Sequence, residues 1–128
     1  MTFVRVSDAA VLLGVSDDTV RRWLEGGRLE GAEDEHGRQL VASISIADLL
    51  SARNRDAESG PPQSARNRFP GIVTRVERDG VMALVEIQAG PHRVISLMSR
   101  EAADELGLEP GVLAAATVKA TNVVVDIA

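Results

Sequence analysis

The hydrophobic pattern of this chain changes its period once, close to residue 60, and this change constrains the fold more than any other feature. In the first half the apolar residues recur at helical spacing, which is typical of amphipathic helices. In the second half they alternate, or run on, over strand-length segments separated by turn residues. Between the halves lies RDAESGPPQ, which has the composition of a linker. The sequence therefore predicts an α+β protein with domains at residues 1–55 and 64–128 and a linker at 56–63.

Two helices separated by a glycine turn are predicted near the start of the chain. Ser7 is a favourable N-cap for the first helix, and Gly14 is a favourable residue to end it. Ser16 is a favourable N-cap for the second helix, whose first turn carries Asp17 and Asp18, where the helix dipole favours negative charge. The buried stripe of the second helix is expected to be Val20, Trp23 and Leu24, which leaves Arg21 and Arg22 facing outward.

A small β wing and a third helix are predicted to complete the first half. Two strand-like pieces lie around Leu29 and at Gln39–Ser43, and the polar turn EDEHGR joins them. The third helix is expected at about Ser45–Ala52, with Ile46, Leu49 and Leu50 facing inward. Helix, glycine turn, capped helix and wing, in this order, are the arrangement of a helix-turn-helix domain.

The stretch VSDAAVLLGVSDDTVRRWLEGGRL resembles the helix-turn-helix of the excisionase and MerR-like families. Their pattern G-V-S, T-V-x-x-W and G-x-L appears here as Gly14–Ser16, Thr19–Trp23 and Gly27–Leu29. The resemblance covers residues 4–52 and implies binding of double-stranded DNA, although the wing EDEHGRQL is less basic than is usual in the family. The residues expected to contact DNA are Ser16, Asp18, Thr19, Arg21, Arg22, Arg28 and Arg38.

Five strands and one short helix are expected in the second half. The strands are GIVTRVE, MALVEIQAG, RVISLMS, VLAAATVKA and NVVVDIA. Between the third and fourth strands, Ser99 is expected to cap a helix with Ala102, Ala103 and Leu106 on its inner face. This content predicts a small, five-stranded OB-like β-barrel with one short helix.

The pentapeptide SARNR occurs twice, at Ser51–Arg55 and at Ser64–Arg68. The second copy precedes the first barrel strand, and K-A-T, Lys119–Thr121, stands near the other end of the barrel. These two ends, with the SREAADELGL helix between them, resemble the Mop-type molybdate-binding domain, the molbindin module of the TOBE class. The resemblance implies molybdate or tungstate as the ligand, bound as an oxyanion and not as a metal cation. It also implies assembly through shared strands, which requires a homo-oligomer of at least two chains, with the family's hexamers as a further option.

The residue types of the second copy fit a tetrahedral oxyanion. Arg66 offers a planar fork of donors, and Lys119, the only lysine beside thirteen arginines, offers a point charge with three donors. Small residues beside them allow backbone N–H groups to approach an anion closely. The expected oxyanion-binding residues are Ser64, Ala65, Arg66, Asn67, Lys119, Ala120 and Thr121. The first copy, in contrast, is expected to be a helix end whose arginines lie near a helix C-terminus or DNA phosphates.

Composition excludes several classes of protein. The chain has no cysteine, which excludes disulfides and thiolate sites, and its two histidines, His36 and His92, are too far apart in the sequence to suggest a metal-cation site. No apolar run has membrane-spanning length and no signal-peptide pattern precedes the domains, so a cytoplasmic protein without a membrane partner is expected. No nucleophile constellation, nucleotide-binding glycine pattern or carboxylate pair is recognisable, so the chain is not expected to be an enzyme.

The function these patterns favour is that of a molybdate-responsive, DNA-binding transcriptional regulator. The alternative is an intracellular molybdate store whose helix-turn-helix half mediates protein contacts. Residues 1–50 carry five arginines against nine acids, and this acidic balance favours the alternative. The intact recognition-helix pattern favours the regulator. An excisionase-like architectural factor would leave the second half unexplained.

Overall fold

A computed structural model of the chain describes residues 2–56 and 64–128. The chain separates into two compact units, residues 1–58 and 59–128. Most of the predicted linker at 56–63 lies outside the described residues, so its exact bounds stay a prediction.

The first unit combines three helices with a small antiparallel sheet. Its buried core is aliphatic, with Leu13, Val20 and Val41 at its centre, and Trp23 and Leu24 pack against it. Along the chain the elements are β1 (Phe3–Arg5), α1 (Val6–Leu13), α2 (Asp17–Glu25), β2 (Gly31–Glu33), β3 (Gln39–Ala42) and α3 (Ser43–Asp56). The strands are ordered β1-β3-β2 in the sheet.

The capping predictions for this unit have different outcomes. The cap at Ser16 is confirmed, because its side chain accepts a hydrogen bond from the backbone N–H of Thr19 at 3.1 Å. The cap at Ser7 is wrong: α1 begins at Val6, directly after β1, and Arg5 takes the N-cap position, where its side chain makes no capping hydrogen bond to the helix backbone. The sequence analysis did not predict β1, because three residues are too few to show the alternation of a strand. The pairing of β1 with β3 sets the residue at which α1 starts.

The second unit is one antiparallel sheet with a short helix. Its elements are β4 (Asn67–Arg78), β5 (Met82–Ala89), β6 (His92–Ser99), α4 (Arg100–Glu105), β7 (Leu113–Val118) and a 3₁₀ turn (Ala120–Asn122). The sheet order is β6-β5-β4-β7, so the long strand β4 pairs with β5 on one side and with β7 on the other. A bulge between Val73 and Arg75 bends β4 where it passes from one partner to the other. Bending there curls the sheet around a core that includes Val85, Ile87 and Ala103.

Gly71 of β4 lies directly against the backbone of β5. A Cβ atom at this position would be 2.2 Å from the backbone oxygen of Gln88 and 2.8 Å from its carbonyl carbon. Because no side chain fits there, glycine is required for the curl of the sheet.

The prediction of a fifth strand is wrong for the chain taken by itself. After β7 the 3₁₀ turn redirects the backbone, and residues 123–128 form neither helix nor strand. Their apolar side chains are exposed, with Val124 at 91% and Ile127 at 96%. An alternating apolar segment becomes a strand only where a sheet edge is available to pair with it, and within residues 64–128 none pairs with this one. The sheet accordingly stays open between its edge strands β6 and β7.

The short helix is confirmed, with one change in its buried face. Ser99 caps it as expected, accepting a hydrogen bond from the N–H of Ala102 at 3.1 Å. Leu106, predicted to face inward, is 66% exposed, and Leu108 is buried in its place. Leu106 is the C-cap, where the chain leaves the helix, so helical spacing no longer determines which side chain points inward.

Candidate oxyanion site and DNA-binding surface

Pairing of β4 with β7 brings the two parts of the predicted oxyanion site together. Asn67, the first residue of β4, lies opposite Val118, the last residue of β7. The ladder ends at this pair: Arg66 directly precedes β4, Lys119 directly follows β7, and the 3₁₀ turn begins at Ala120. Asn67, the last residue of SARN, and Val118, the residue before KAT, are therefore neighbours in the fold although they are 51 positions apart in the sequence.

Asn67 connects the two strand ends directly. Its side-chain amide donates a hydrogen bond to the backbone oxygen of Val118 at 3.0 Å, and the side chain is half-buried. This bond occupies one of the two amide protons of Asn67 and fixes the direction of the chain just before Lys119. The structure therefore gives Asn67 a bracing contact at the site.

The remaining residues of this candidate site face outward. Lys119 precedes the 3₁₀ turn, and its carbonyl accepts a hydrogen bond from the N–H of Asn122 at 2.9 Å, which orients the turn. Ala65 is half-buried. The exposed members of the set are Ser64, Arg66, Lys119, Ala120 and Thr121. Two cationic side chains with neutral donors around them can bind an oxyanion, and in a single chain one side of that anion would remain in water.

The first SARNR copy has a structural contact of its own. It forms the last turns of α3, as expected for a helix end. The guanidinium of Arg53 donates two hydrogen bonds, of 3.2 and 3.3 Å, to the backbone oxygen of Leu13. Leu13 is the last residue of α1, so this cation lies at a helix C-terminus, where the dipole favours positive charge. Arg53 thus holds α3 against the turn that precedes α2.

The predicted DNA-contacting residues at α2 are exposed, apart from Thr19, which is half-buried. Ser16 and Thr19 take part in the cap, and their hydroxyl oxygens are 3.0 Å apart. Arg22 donates to the Thr19 hydroxyl at 3.1 Å, and Arg21 donates to Asp18 at 3.2 Å. These contacts orient both arginines along the exposed face of the helix.

Arg28 follows α2 and lies over the indole of Trp23, 4.5 Å from the ring centroid. A cation in this position is attracted by the electrons of the ring. Trp23 itself packs against the core, as the apolar stripe predicted, and not against solvent as a base-stacking residue would.

Asp34 organises the turn of the wing. Its Oδ1 accepts hydrogen bonds from the backbone N–H groups of His36 and Arg38, at 2.8 and 2.9 Å, and its Oδ2 accepts one from the Arg38 guanidinium at 3.1 Å. These donors, the Arg38 N–H first among them, lower the pKa of the Asp34 carboxyl below its ordinary value. The carboxylate therefore keeps its charge and holds the wing tip, with His36 and Arg38 exposed on it.

Sequence reasoning missed one cation at this surface. Arg5 pairs through β1 with Leu40 of β3, and it lines a cleft together with Arg21 and Arg38. Arg5 was missed because the strand β1 was not predicted, and only the pairing of β1 with β3 places Arg5 near the wing.

The described ranges, 2–56 and 64–128, hold no group of three or more His, Cys, Asp or Glu side chains that could bind a metal cation. In the same ranges, none of the helices has the length and the apolar composition needed to cross a lipid bilayer.

Comparison with known proteins divides the chain in the same place as its periodicity. Residues 63–125 match the TOBE domain family, and residues 3–53 match a helix-turn-helix domain family. The second half is similar to the "Probable molybdenum-pterin-binding protein" of Haemophilus influenzae, with 43% identity over 65 residues that cover 50% of this chain and 94% of the relative. It is also similar to molybdenum-pterin-binding protein 2 of Clostridium pasteurianum, with 35% identity over 48% of this chain and 93% of the relative.

A solved structure shows the same fold for this half. The chain resembles a molybdate binding protein from Sporomusa ovata with a TM-score of 0.50 and 25% identity. The match covers 52% of this chain and 100% of that protein, so the likeness extends over that whole domain.

Proposed function

Since the chain belongs, through its second half, to the TOBE-domain family of molybdenum-pterin-binding proteins, we propose that it is a molybdate-responsive DNA-binding regulator. The observation that carries the proposal is the β4–β7 pairing, which joins the SARN and KAT motifs in a chain that also has a helix-turn-helix unit. Molybdate or tungstate is the proposed ligand, and double-stranded DNA is the proposed partner.

The proposed ligand set follows from donor chemistry. Arg66 and Lys119 supply two positive charges, which balance the two negative charges of a molybdate ion. Ser64 and Thr121 supply hydroxyl donors, and the small side chains of Ala65 and Ala120 leave room for the anion near the backbone. Asn67 keeps the two strand ends at a constant separation through its bond to Val118.

We propose that the site is completed by a second chain. The ligand residues of one chain are exposed, and an anion bound by them alone would compete with water on its open side. The same unit leaves an apolar groove of about 670 Å³ between β6 and β7, lined by residues that include Ile95, Leu97 and Leu113. Unpaired edge strands of this kind are normally covered, and the exposed Val123–Ile127 segment of another copy has the apolar pattern to cover them.

We propose that α2 and the wing make the contacts with DNA. Arg21, Arg22, Arg28 and Arg38 are exposed on one unit whose overall charge is negative, so each copy makes few phosphate contacts. Tight binding to DNA then requires two helix-turn-helix units on paired half-sites, and the proposed oligomer supplies them.

Calorimetric titration tests the ligand. Molybdate and tungstate are expected to bind well below millimolar concentration and sulfate much more weakly, because a smaller oxyanion reaches fewer donors at once. Lys119→Ala is expected to weaken binding strongly, whereas Arg75→Ala, which removes an exposed arginine elsewhere in the same unit, is not. Absence of heat and of a thermal shift with either anion would contradict the proposal.

Footprinting on the region upstream of the protein's own coding sequence tests the regulator. A protected repeated or palindromic site, whose occupancy changes with molybdate, is expected. Replacing Arg21 and Arg22 together by Ala should remove protection and leave molybdate binding intact, because the two sites lie in separate units.

A store of molybdate is the second candidate function. It is favoured by the pairing of the surface arginines within the first unit, Arg21 with Asp18 and Arg38 with Asp34, which lowers the charge available to DNA. Molybdate binding without any protected DNA site, in the presence or absence of the anion, would select this candidate.

A further inference from the structure

A cleft of about 310 Å³ lies between the start of α1, the recognition helix and the wing. Its size is at the lower end of the range of ligand pockets, about 300 Å³ and above. Three arginines line it from three different elements: Arg5 from β1, Arg21 from α2 and Arg38 from the wing. Arginine is the side chain best suited to phosphate, because its planar fork can donate two bonds to one oxyanion.

Each of these arginines is already paired with a carboxylate. Arg5 donates to Asp8 at 3.1 Å, Arg21 to Asp18 at 3.2 Å and Arg38 to Asp34 at 3.1 Å. The side chains of Arg5 and Asp8 are 75% and 50% exposed, so their pair exchanges readily with water. A guanidinium has five N–H donors, which leaves donors on each arginine for a second acceptor.

Four carboxylates, Asp8, Asp17, Asp18 and Asp34, line the cleft or pair with its arginines, so an anion must compete with them for the three guanidinium groups. Asp34 accepts hydrogen bonds both from the backbone N–H groups of the wing turn and from the Arg38 guanidinium, so its charge is shared between the turn and that arginine. Asp17 lies in the first turn of α2, where the helix N-terminus compensates a negative charge. What the cleft offers an anion is the remaining N–H donors of the three guanidinium groups, and these become fully available when the anion displaces a carboxylate.

We propose that Arg5, Arg21 and Arg38 form a clamp for a phosphodiester of the DNA backbone, and that Asp8 holds the affinity of this clamp down by occupying Arg5. This inference rests on the proposed DNA-binding function and adds to it a cation outside the recognition helix and wing, with an acidic competitor. The clamp explains how a unit with a negative overall charge could bind DNA. Its contact with phosphate becomes strong only when DNA displaces the Asp8 carboxylate from Arg5.

The salt dependence of DNA binding by the full-length protein tests the clamp. The probe is a fluorescent 30-base-pair duplex of arbitrary mixed sequence, since a phosphate contact needs no particular bases. Binding is measured by anisotropy between about 50 and 200 mM salt. Arg5→Ala should weaken binding and reduce the slope of log K against log salt by about 0.9 for each bound copy, because one phosphate contact is lost. Arg5→Lys keeps the charge and should keep the slope. Arg75→Ala, an exposed arginine of the second unit that is paired with Glu77, should change neither.

Asp8→Asn tests the competitor. Removing its charge should tighten binding by about two- to fivefold, the range expected for an exposed ion pair, with the slope unchanged. The Trp23 emission of each variant verifies that the first unit remains folded, since Trp23 packs against its core.

Three results would overturn the inference alone. The first is an unchanged slope and affinity in Arg5→Ala while the Arg21 and Arg22 double variant loses binding, which leaves the proposed function standing. The second is equal or weaker binding by a folded Asp8→Asn. The third is a pair of observations: inorganic phosphate raises the melting temperature only when Arg5 is present, and Arg5→Ala keeps the wild-type slope of log K against log salt for DNA. Together they would make the cleft a site for free phosphate. Absence of binding by the wild-type protein to this duplex at every salt concentration, together with absence of a protected site in the footprinting experiment, would overturn the DNA-binding function and the inference with it.

Discussion

Replacing Arg53 by Ala is expected to destabilise the first unit and leave oxyanion binding unchanged. Arg53 donates two bonds to the Leu13 oxygen at the end of α1. Hydrogen bonds from a charged donor contribute about 1.5–3 kcal/mol when buried. The Arg53 side chain is exposed and water can replace part of the contact, so a loss of about 1 kcal/mol is expected, including the attraction of the cation to the helix end.

Tryptophan fluorescence separates this effect from any change in the second unit. The chain has a single tryptophan, Trp23, and it packs against the core of the first unit. With a urea slope of about 1 kcal/mol per molar for a unit of this size, the midpoint of the fluorescence transition should fall by about 1 M. In a thermal scan the same loss corresponds to about 4–8 °C.

Two matched variants complete the test. Arg55→Ala removes another exposed arginine from the same helix and makes the same change in helix propensity, so its midpoint should stay at or slightly above that of the wild type. Arg66→Ala, in the other copy of SARNR, should leave the Trp23 transition unchanged and abolish or greatly weaken molybdate binding. Equal midpoints for Arg53→Ala and Arg55→Ala would refute the structural role, and equal losses of molybdate binding in Arg53→Ala and Arg66→Ala would show that both copies serve one site.

Three further predictions concern the fold and assembly. Gly71→Ala should destabilise the second unit by about 1–3 kcal/mol or more, measured by circular dichroism, since its Cβ would meet the Gln88 oxygen at 2.2 Å; Gly80→Ala, with nothing within 4 Å, should not, and equal effects would contradict this. Deleting residues 123–128 should leave a folded chain that light scattering finds monomeric with molybdate present; an unchanged oligomer would exclude the shared-segment proposal. Asp34 has a lowered pKa, so its contribution to the wing should be complete above about pH 4 and lost as the pH falls through its folded pKa. Amide hydrogen exchange at the wing tip should then become faster than the intrinsic exchange chemistry at that pH accounts for. Exchange rates that follow only the intrinsic pH dependence would refute this role of Asp34.

The elements that sequence reasoning placed well are those specified by near neighbours. The cap at Ser16 involves Thr19, three residues later, and the buried stripe of α2 follows from spacing within one helix. The alternating burial along β5 was visible in the letters MALVEIQA for the same reason, because successive side chains of a strand point to opposite faces.

Pairing over long distances was outside the reach of those patterns. The three residues of β1 became a strand only because β3 offers them an edge, and that pairing moved the start of α1 and brought Arg5 to the cleft. The predicted strand after Asn122 failed for the opposite reason, since the single chain leaves it without an edge.

The two copies of SARNR show the division most clearly. The sequence by itself determined that the copies stand in different settings, one at a helix end and one before a strand, because periodicity and linker composition are local properties. Only the tertiary structure decided their contacts: Arg53 bonds to Leu13, and Asn67 bonds to Val118 beside Lys119. These contacts join residues 40 and 51 positions apart. They arise from helix packing and strand register, which minimise the free energy of a whole unit and leave no mark in any short stretch of sequence.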